Sequence, residues 1–263
     1  MTFRSLLTAL VTSLSLGCAA LPEGIPDQPG TFLQAQDARR AWLAASPDNA
    51  VSPYFVMRTL EAIGDPDCPR VESTDSGTRY DGDGCTDAYG TTWLGGAVRD
   101  GEGTEVVDFY DFGVSLPSAE WTLDGYLEWT PTDEANVALR TGFGIRYEGE
   151  SSFVAWQEID LEIDWNDGDY RMPTLTGEIG LEDWGLATLE IQDSVYLGRA
   201  VECSYPSGGG LRLEGENVLE LDFTEHEMAS CGECPTWLVD GEEQGSLCDP
   251  LPVLSVEVSS DSE

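Results

Sequence analysis

The sequence predicts a mainly β fold: a curled antiparallel, largely up-and-down sheet (a half-barrel, barrel or sandwich) preceded by two short N-terminal helices. Three observations predict it. From Val137 the positions Val137, Leu139, Thr141, Phe143, Ile145 and Tyr147 alternate with Ala138, Arg140, Gly142, Gly144 and Arg146. From Ile159 the run Ile159, Leu161, Ile163 and Trp165 alternates with Asp160, Glu162 and Asp164. A period of two puts every second side chain on one face of a strand, so each has a buried face and a polar, markedly acidic one. The connections are the third observation. Glu148-Gly149-Glu150 and Asn166-Asp167-Gly168-Asp169 are too short for a parallel crossover, so neighbouring strands run antiparallel.

Residues 1–17 carry one cation, Arg4, and an apolar stretch from Leu6 to Leu16. This is the n-region and h-region of a signal peptide, too short to span a bilayer. It ends in Leu14-Ser15-Leu16-Gly17-Cys18, which resembles the lipobox of bacterial lipoproteins, with Ser15 where that motif usually has Leu. The resemblance implies a Cys18 that is lipidated and becomes the first residue after cleavage. Ala19 after it implies sorting to the outer membrane. Residues 18–30, with three Pro and two Gly between Leu21 and Gly30, read as a flexible tether.

Residues 31–258 form one β-rich domain including its helices, and 259–263 a frayed polar tail. Thr31-Phe32-Leu33-Gln34 reads as a capping box, with Thr31 as N-cap and Gln34 reaching back, opening a helix to about Ala45. Ala35, Ala38, Trp42 and Ala45 lie along one side of it. Ser46-Pro47-Asp48-Asn49 breaks that helix. Ser52-Pro53 starts a second, which Gly64 ends and which turns Phe55, Leu60 and Ile63 to the core.

An exported chain permits disulfides, and Cys68 is expected to pair with Cys85. Closing a loop of about 18 residues restricts the denatured chain by roughly 3 kcal/mol. Asp81, Asp83 and Asp87 sit in the Gly-rich turn beside Cys85, a candidate calcium site that lacks the fixed ligand pattern of a helix–loop–helix calcium loop. A hairpin turn built from Asp and Gly explains the same residues.

Strands are expected near Thr91–Arg99, Glu105–Val114, Glu120–Thr130, Asn136–Glu148, Phe153–Trp165, Leu175–Asp183, Ala187–Leu197, Leu211–Glu214 and Val218–Phe223. Asp124, Glu128, Asp160, Glu162, Asp164, Glu178, Glu182, Glu190, Glu220 and Asp222 point outward on them. Trp121, Leu123, Leu127, Trp129, Leu139, Phe143, Ile145, Ile159, Leu161, Ile163, Leu175, Ile179, Leu181, Leu189, Ile191, Leu219 and Leu221 point inward. An apolar face this large must be covered, by curling, by the helices or by a ligand.

Beyond the sheet stand Cys203, Cys231, Cys234 and Cys248. Cys231-Gly232-Glu233-Cys234 has redox-motif spacing but no βαβ context, and no second close Cys pair completes a zinc site. Two structural disulfides are expected. Of three possible pairings, Cys203–Cys231 with Cys234–Cys248 is preferred. Seven Cys leave an odd one, and a lipidated Cys18 leaves six to pair.

Composition narrows the function classes. The 263 residues carry 12 Lys+Arg, all of them Arg, against 50 Asp+Glu, a formal charge of −38. Charge of this sign repels nucleic acid. The only histidine is His226, flanked by Glu225 and Glu227, so a His-based nucleophile triad would have to use it. No Gly-x-Ser-x-Gly elbow, phosphate loop, dinucleotide fingerprint or His-Glu-x-x-His is present, and no catalytic residue or cofactor is expected.

The lipobox, the Cys68-Pro69 to Cys85 element with its following Gly90-Thr91-Thr92-Trp93, and the β-rich remainder together resemble uncharacterised acidic lipoproteins of Gram-negative bacteria. The resemblance implies a cell-envelope, outer-membrane lipoprotein, partnered by the membrane through its lipid, and no activity. The leading expectation is a non-enzymatic structural or ligand-binding module. A lipid or glycolipid carrier with an apolar concave sheet is the first alternative, and a carbohydrate-active enzyme the second. Whether the concave face is filled separates the first two.

Overall fold

The computed structural model describes residues 21–46, 49, 54, 56–58, 60–62, 67–75, 77–88, 90–101, 103–117, 119–133, 136–149, 152–166, 169–198, 208–223 and 234–247. Alternation is strictest in the centre of the chain, and there the strands are longest: β6 (Asn136–Glu148), β7 (Phe153–Asn166), β8 (Asp169–Leu181) and β9 (Gly185–Gly198). Before them run β1 (Arg70–Ser73), β2 (Gly77–Asp81), β3 (Thr92–Asp100), β4 (Glu105–Ser115) and β5 (Glu120–Pro131). After them come β10 (Gly208–Glu214), β11 (Val218–Phe223), β12 (Thr236–Val239) and β13 (Glu242–Ser246). The described residues make one sheet of 13 strands in sequence order, each antiparallel to the next. The sheet is a meander that does not close. Its edge strands are blunted: β1 has four residues, and β13 carries Glu242 and Glu243.

The expected strands all form, and their faces are as expected. Every residue of the inward set is buried except Ile191, which is half-buried against the core, and every outward acid is at least partly exposed. β8 begins earlier than expected. Pro173 has no N–H to donate, and it sits where the pairing of β8 with β9 jumps from Met172–Val195 to Thr176–Glu190, so the strand continues past it through a bulge. The hairpins β1–β2 and β12–β13 are additions to the expected set.

β4 is bulged against both its neighbours at Tyr110-Asp111, where Asp111 adopts φ 50°. The bulge works because Gly95 lies opposite: a β-carbon there would sit 2.3 Å from the Asp111 carbonyl oxygen. Such a bulge sharpens the twist and curls the sheet.

The concave face is filled. α1 (Ala35–Ala45) packs over β7 and β8, burying Ala38, Ala41, Trp42, Leu43, Ala44 and Ala45. Trp42 meets Phe223 of β11, ring centroids 5.1 Å apart. Fully buried Asn49 donates its amide to the Leu43 carbonyl, satisfying a group the helix end leaves open. A second helical segment contains Tyr54, Val56, Met57, Arg58, Leu60, Glu61 and Ala62. Leu60 is buried as expected, Met57 is fully buried, and Tyr54 stacks flat on Trp129 of β5 at 4.0 Å. Ser52, Pro53, Phe55, Ile63 and Gly64 lie outside the described residues, as do residues 1–17, expected as a signal peptide, and 259–263, expected as a tail.

Two expectations about the N-terminal region are corrected. α1 starts at Ala35 with Gln34 as N-cap, and Thr31 is no cap. The Asp37 carboxylate accepts from the backbone N–H of Gln34 at 3.0 Å and of Leu33 at 3.1 Å, taking two donors that a neutral amide satisfies less well. Thr31 instead donates to Glu216, drawn there because Asn217 clasps the backbone of Phe32 on both sides. The second correction concerns 18–30. Its described part, from Leu21 onward, is bound to the sheet.

Candidate functional site

That bound segment is a strap across the outer face. In the cross-strand row Asp124–Gly144–Trp156–Gly180–Leu186, two glycines flank a tryptophan that is 4% exposed on the solvent side of the sheet. The glycines leave room. A β-carbon on Gly144 would lie 2.9 Å from Pro22 Cγ, and one on Gly180 2.8 Å from Ile25 Cγ2. Ile25 is itself buried over Gly180. The Gly24 carbonyl accepts from Asp183 N–H at 3.2 Å, the Gln28 carbonyl from Leu186 N–H at 2.8 Å, and Gly30 N–H donates to the Leu186 carbonyl at 2.9 Å. Trp184 then donates its indole N–H to the Thr31 carbonyl at 2.7 Å and packs on Phe32. Sequence composition suggested a linker because Pro and Gly dominate it. The receiving row, Gly144–Trp156–Gly180 on three successive strands, is a long-range pattern.

At the root of the strap lies an open depression of about 210 Å³, lined by Pro22, Glu23, Asp111, Thr122, Asp124 and Arg146 among others. A second, of about 230 Å³, lies further along the outer face, lined by Glu128, Thr130, Arg140, Asp160, Glu162, Thr174 and Thr176. Arg140 organises it. Arg140 lies in register between Glu128 and Asp160, with Asp160 at 3.8 Å and Glu158 at 3.8 Å. Arg212 repeats the device on β10, in register with Glu190 and Glu220 and 3.2 Å from Glu214. Opposite charges on facing strands stabilise a sheet where like charges would not, and the two arginines offset the crowding of acids. Where no arginine intervenes the crowding shows: burial, and then Asp100, push the Asp108 carboxyl above the usual range.

On the concave side one ionic cluster ties the second helical segment to β2, β3 and β4. Arg99 donates to Glu61 through Nε at 2.9 Å and Nη2 at 2.6 Å, and its Nη1 lies 3.3 Å from Glu105. Tyr80 donates to Glu61, and Tyr54 donates to Glu105 at 2.8 Å. Arg58 reaches both carboxylates from the solvent side, at 3.2 and 3.6 Å. Burial pushes the Glu61 carboxyl up, but hydrogen bonds from Tyr80, Arg99 and Thr78 outweigh it and hold the group below the ordinary glutamate range. Burial, and then the carboxylate to which each donates, raise the hydroxyls of Tyr54 and Tyr80. Glu61 is thus held as an anion, and arginine binds both carboxylates into the packing. Sequence reasoning missed this cluster because its members lie on four separate elements.

The expected sites fare differently. Cys68 and Cys85 are joined as a disulfide. Cys234 is disulfide-bonded, with its partner outside the described residues, as are Cys18, Cys203, Cys231, Cys248 and His226. Asp81, Asp83 and Asp87 are not brought together, and among the described residues no three metal-ligating groups converge. Asp87 accepts from Thr91 N–H at 2.9 Å and from the Trp93 indole N–H at 3.0 Å, while Asp81 lies 3.8 Å from Arg79. Asp83, at φ 39°, shapes the turn. Asp87 therefore serves to hold a buried tryptophan, a role its spacing of six residues from Trp93 across a hairpin could have suggested.

Among the described residues no helix is long and apolar enough to cross a membrane. No protein-family model, curated protein or solved structure matches the chain.

Proposed function

We propose that the protein is a non-enzymatic lipoprotein of the cell envelope, an acidic β module held at the outer membrane by a lipid on Cys18. The observation that carries the reading is what occupies the concave face. Helical residues and aromatic side chains fill it, with Met57, Leu43 and Phe32 at 1% exposure or less. A carrier needs that face for acyl chains, so this filling favours a solid module over a carrier. The partly buried carboxylates Glu61 and Glu105 are bound by Arg99, which leaves neither free for the acid and base work of a glycosidase. The lipid anchor rests on Leu14-Ser15-Leu16-Gly17-Cys18.

The test is fractionation of the producing cell. The wild-type chain is expected in the outer membrane and to take up labelled fatty acid, and Cys18→Ser to lose both. Uptake of label by Cys18→Ser would overturn the anchor. Native mass spectrometry with phospholipid separates module from carrier: the module gives no defined one-to-one adduct.

A further inference from the structure

The strap fixes where an anchor on Cys18 would leave the domain, and so which surface meets the membrane. This deepens the lipoprotein reading and rests on it. Cys18 precedes Leu21 by three residues, and a chain of that length spans at most about 11 Å. Leu21 begins the bound segment, with Pro22 seated over Gly144. A lipid on Cys18 lies in the bilayer, so the root of the strap is held within about that distance of the headgroup layer. There is no free tether to let the domain tumble.

The surface around the root has the chemistry for this. The large hydrophobic side chains exposed among the described residues are Leu33, Tyr110 and Leu116, and one of them adjoins the root: Tyr110, 57% exposed on the β4 bulge beside Asp111, which lines the depression. Tyrosine is favoured at the membrane–water interface. Arg146 is exposed there, in register with Thr122 and Val154. Arg58, Arg70, Arg79, Arg99, Arg140 and Arg212 all pair with carboxylates, whereas Arg146 has no ion pair among the described residues. Glu23, Asp111 and Asp124 line the same depression.

We infer that this root surface docks on zwitterionic phospholipid headgroups. Arg146 faces their phosphates, and the neighbouring carboxylates face their ammonium groups. Tyr110 sits at the interface. The far end of the sheet, where Thr132 is exposed in the turn after β5, then points away from the bilayer.

Photo-cross-linking of the full lipidated chain in phosphatidylcholine vesicles tests this. Benzoylphenylalanine replaces Tyr110 in one variant and Thr132 in another. Lipid cross-links at 110 are expected to exceed those at 132 several-fold. Inserting about ten Gly and Ser residues between Ala20 and Leu21 supplies a flexible spacer and is expected to erase that preference while the protein still floats with the vesicles. Equal cross-linking at 110 and 132 in vesicle-bound protein would overturn the docked orientation and leave the anchor standing. A full-length chain that proves to carry no lipid on Cys18 when purified from its membrane, and that does not float with the vesicles, would overturn both. A preference that survives the spacer would show that the surface binds without the strap, overturning the role given to the strap.

Discussion

Arg99 on β3 grips Glu61 of the second helical segment with two donors on one carboxylate oxygen, and the two side chains are only 14% and 18% exposed. Breaking such a pair leaves a desolvated charge behind. Glu61→Gln is expected to cost about 1–3 kcal/mol, below the cost of a fully buried pair because water still reaches both groups. The folded pKa of Glu61 lies below its unfolded value, so its stabilisation is complete above that unfolded value and fades as pH falls through the folded one. The stability gap between wild type and Glu61→Gln, read from urea unfolding, should be constant at neutral pH. It should close below about pH 4.

Tyr54 and Tyr80 titrate in the opposite sense. Their hydroxyls are raised, so the stabilisation they give is present below the unfolded tyrosine value of about 10 and is lost as pH rises beyond it. Ultraviolet titration of the folded protein should leave these two tyrosinates unformed at pH values where the tyrosines of the unfolded chain have ionised. Tyr80→Phe and Tyr54→Phe should each remove one late-titrating group.

The strap makes a prediction that a free tether would not. Gly180→Val places side-chain atoms where Ile25 lies, with the first of them 2.8 Å from Ile25 Cγ2. Overpacking of this kind costs about 1–3 kcal/mol. The loss should be local: faster hydrogen exchange and new proteolytic cuts between Leu21 and Gly30, with strands β3 to β5 unchanged. Uniform destabilisation would mean that the strap is not a separate element.

Much of the sheet was legible because period-two alternation is local, and the inward residues from Trp121 to Leu221 follow from it directly. What escaped was either too short or too distant. β12 and β13 have four and five residues, yet Asp240-Gly241 between them, at φ 51° and 80°, is a standard hairpin-turn signal that could have placed them. β1 and β2 were hidden because Asp, Ser, Thr and Gly between the cysteines read as loop. The strap and the Arg99 cluster unite residues far apart in sequence, and no local pattern announces such contacts. The helix start moved because Asp37 competes with Thr31, which the sheet claims through Glu216.

Asp87 separates a structural turn from a calcium site. Asp87→Asn removes one of two acceptors beneath Trp93, which is 1% exposed, and an unsatisfied donor there should cost about 1–3 kcal/mol. Calcium and magnesium at matched ionic strength should shift the melting temperature of the wild type equally. A shift specific to calcium and abolished by Asp87→Asn would return these carboxylates to the role of ligands.

The most direct measurement of the whole account is the mass of the N-terminal peptide of the protein purified from its membrane. A lipid-anchored module predicts a peptide that begins at Cys18 and is heavier than its sequence by a thioether-linked diacylglyceryl group. An N-terminus elsewhere, or an unmodified Cys18, would contradict the account.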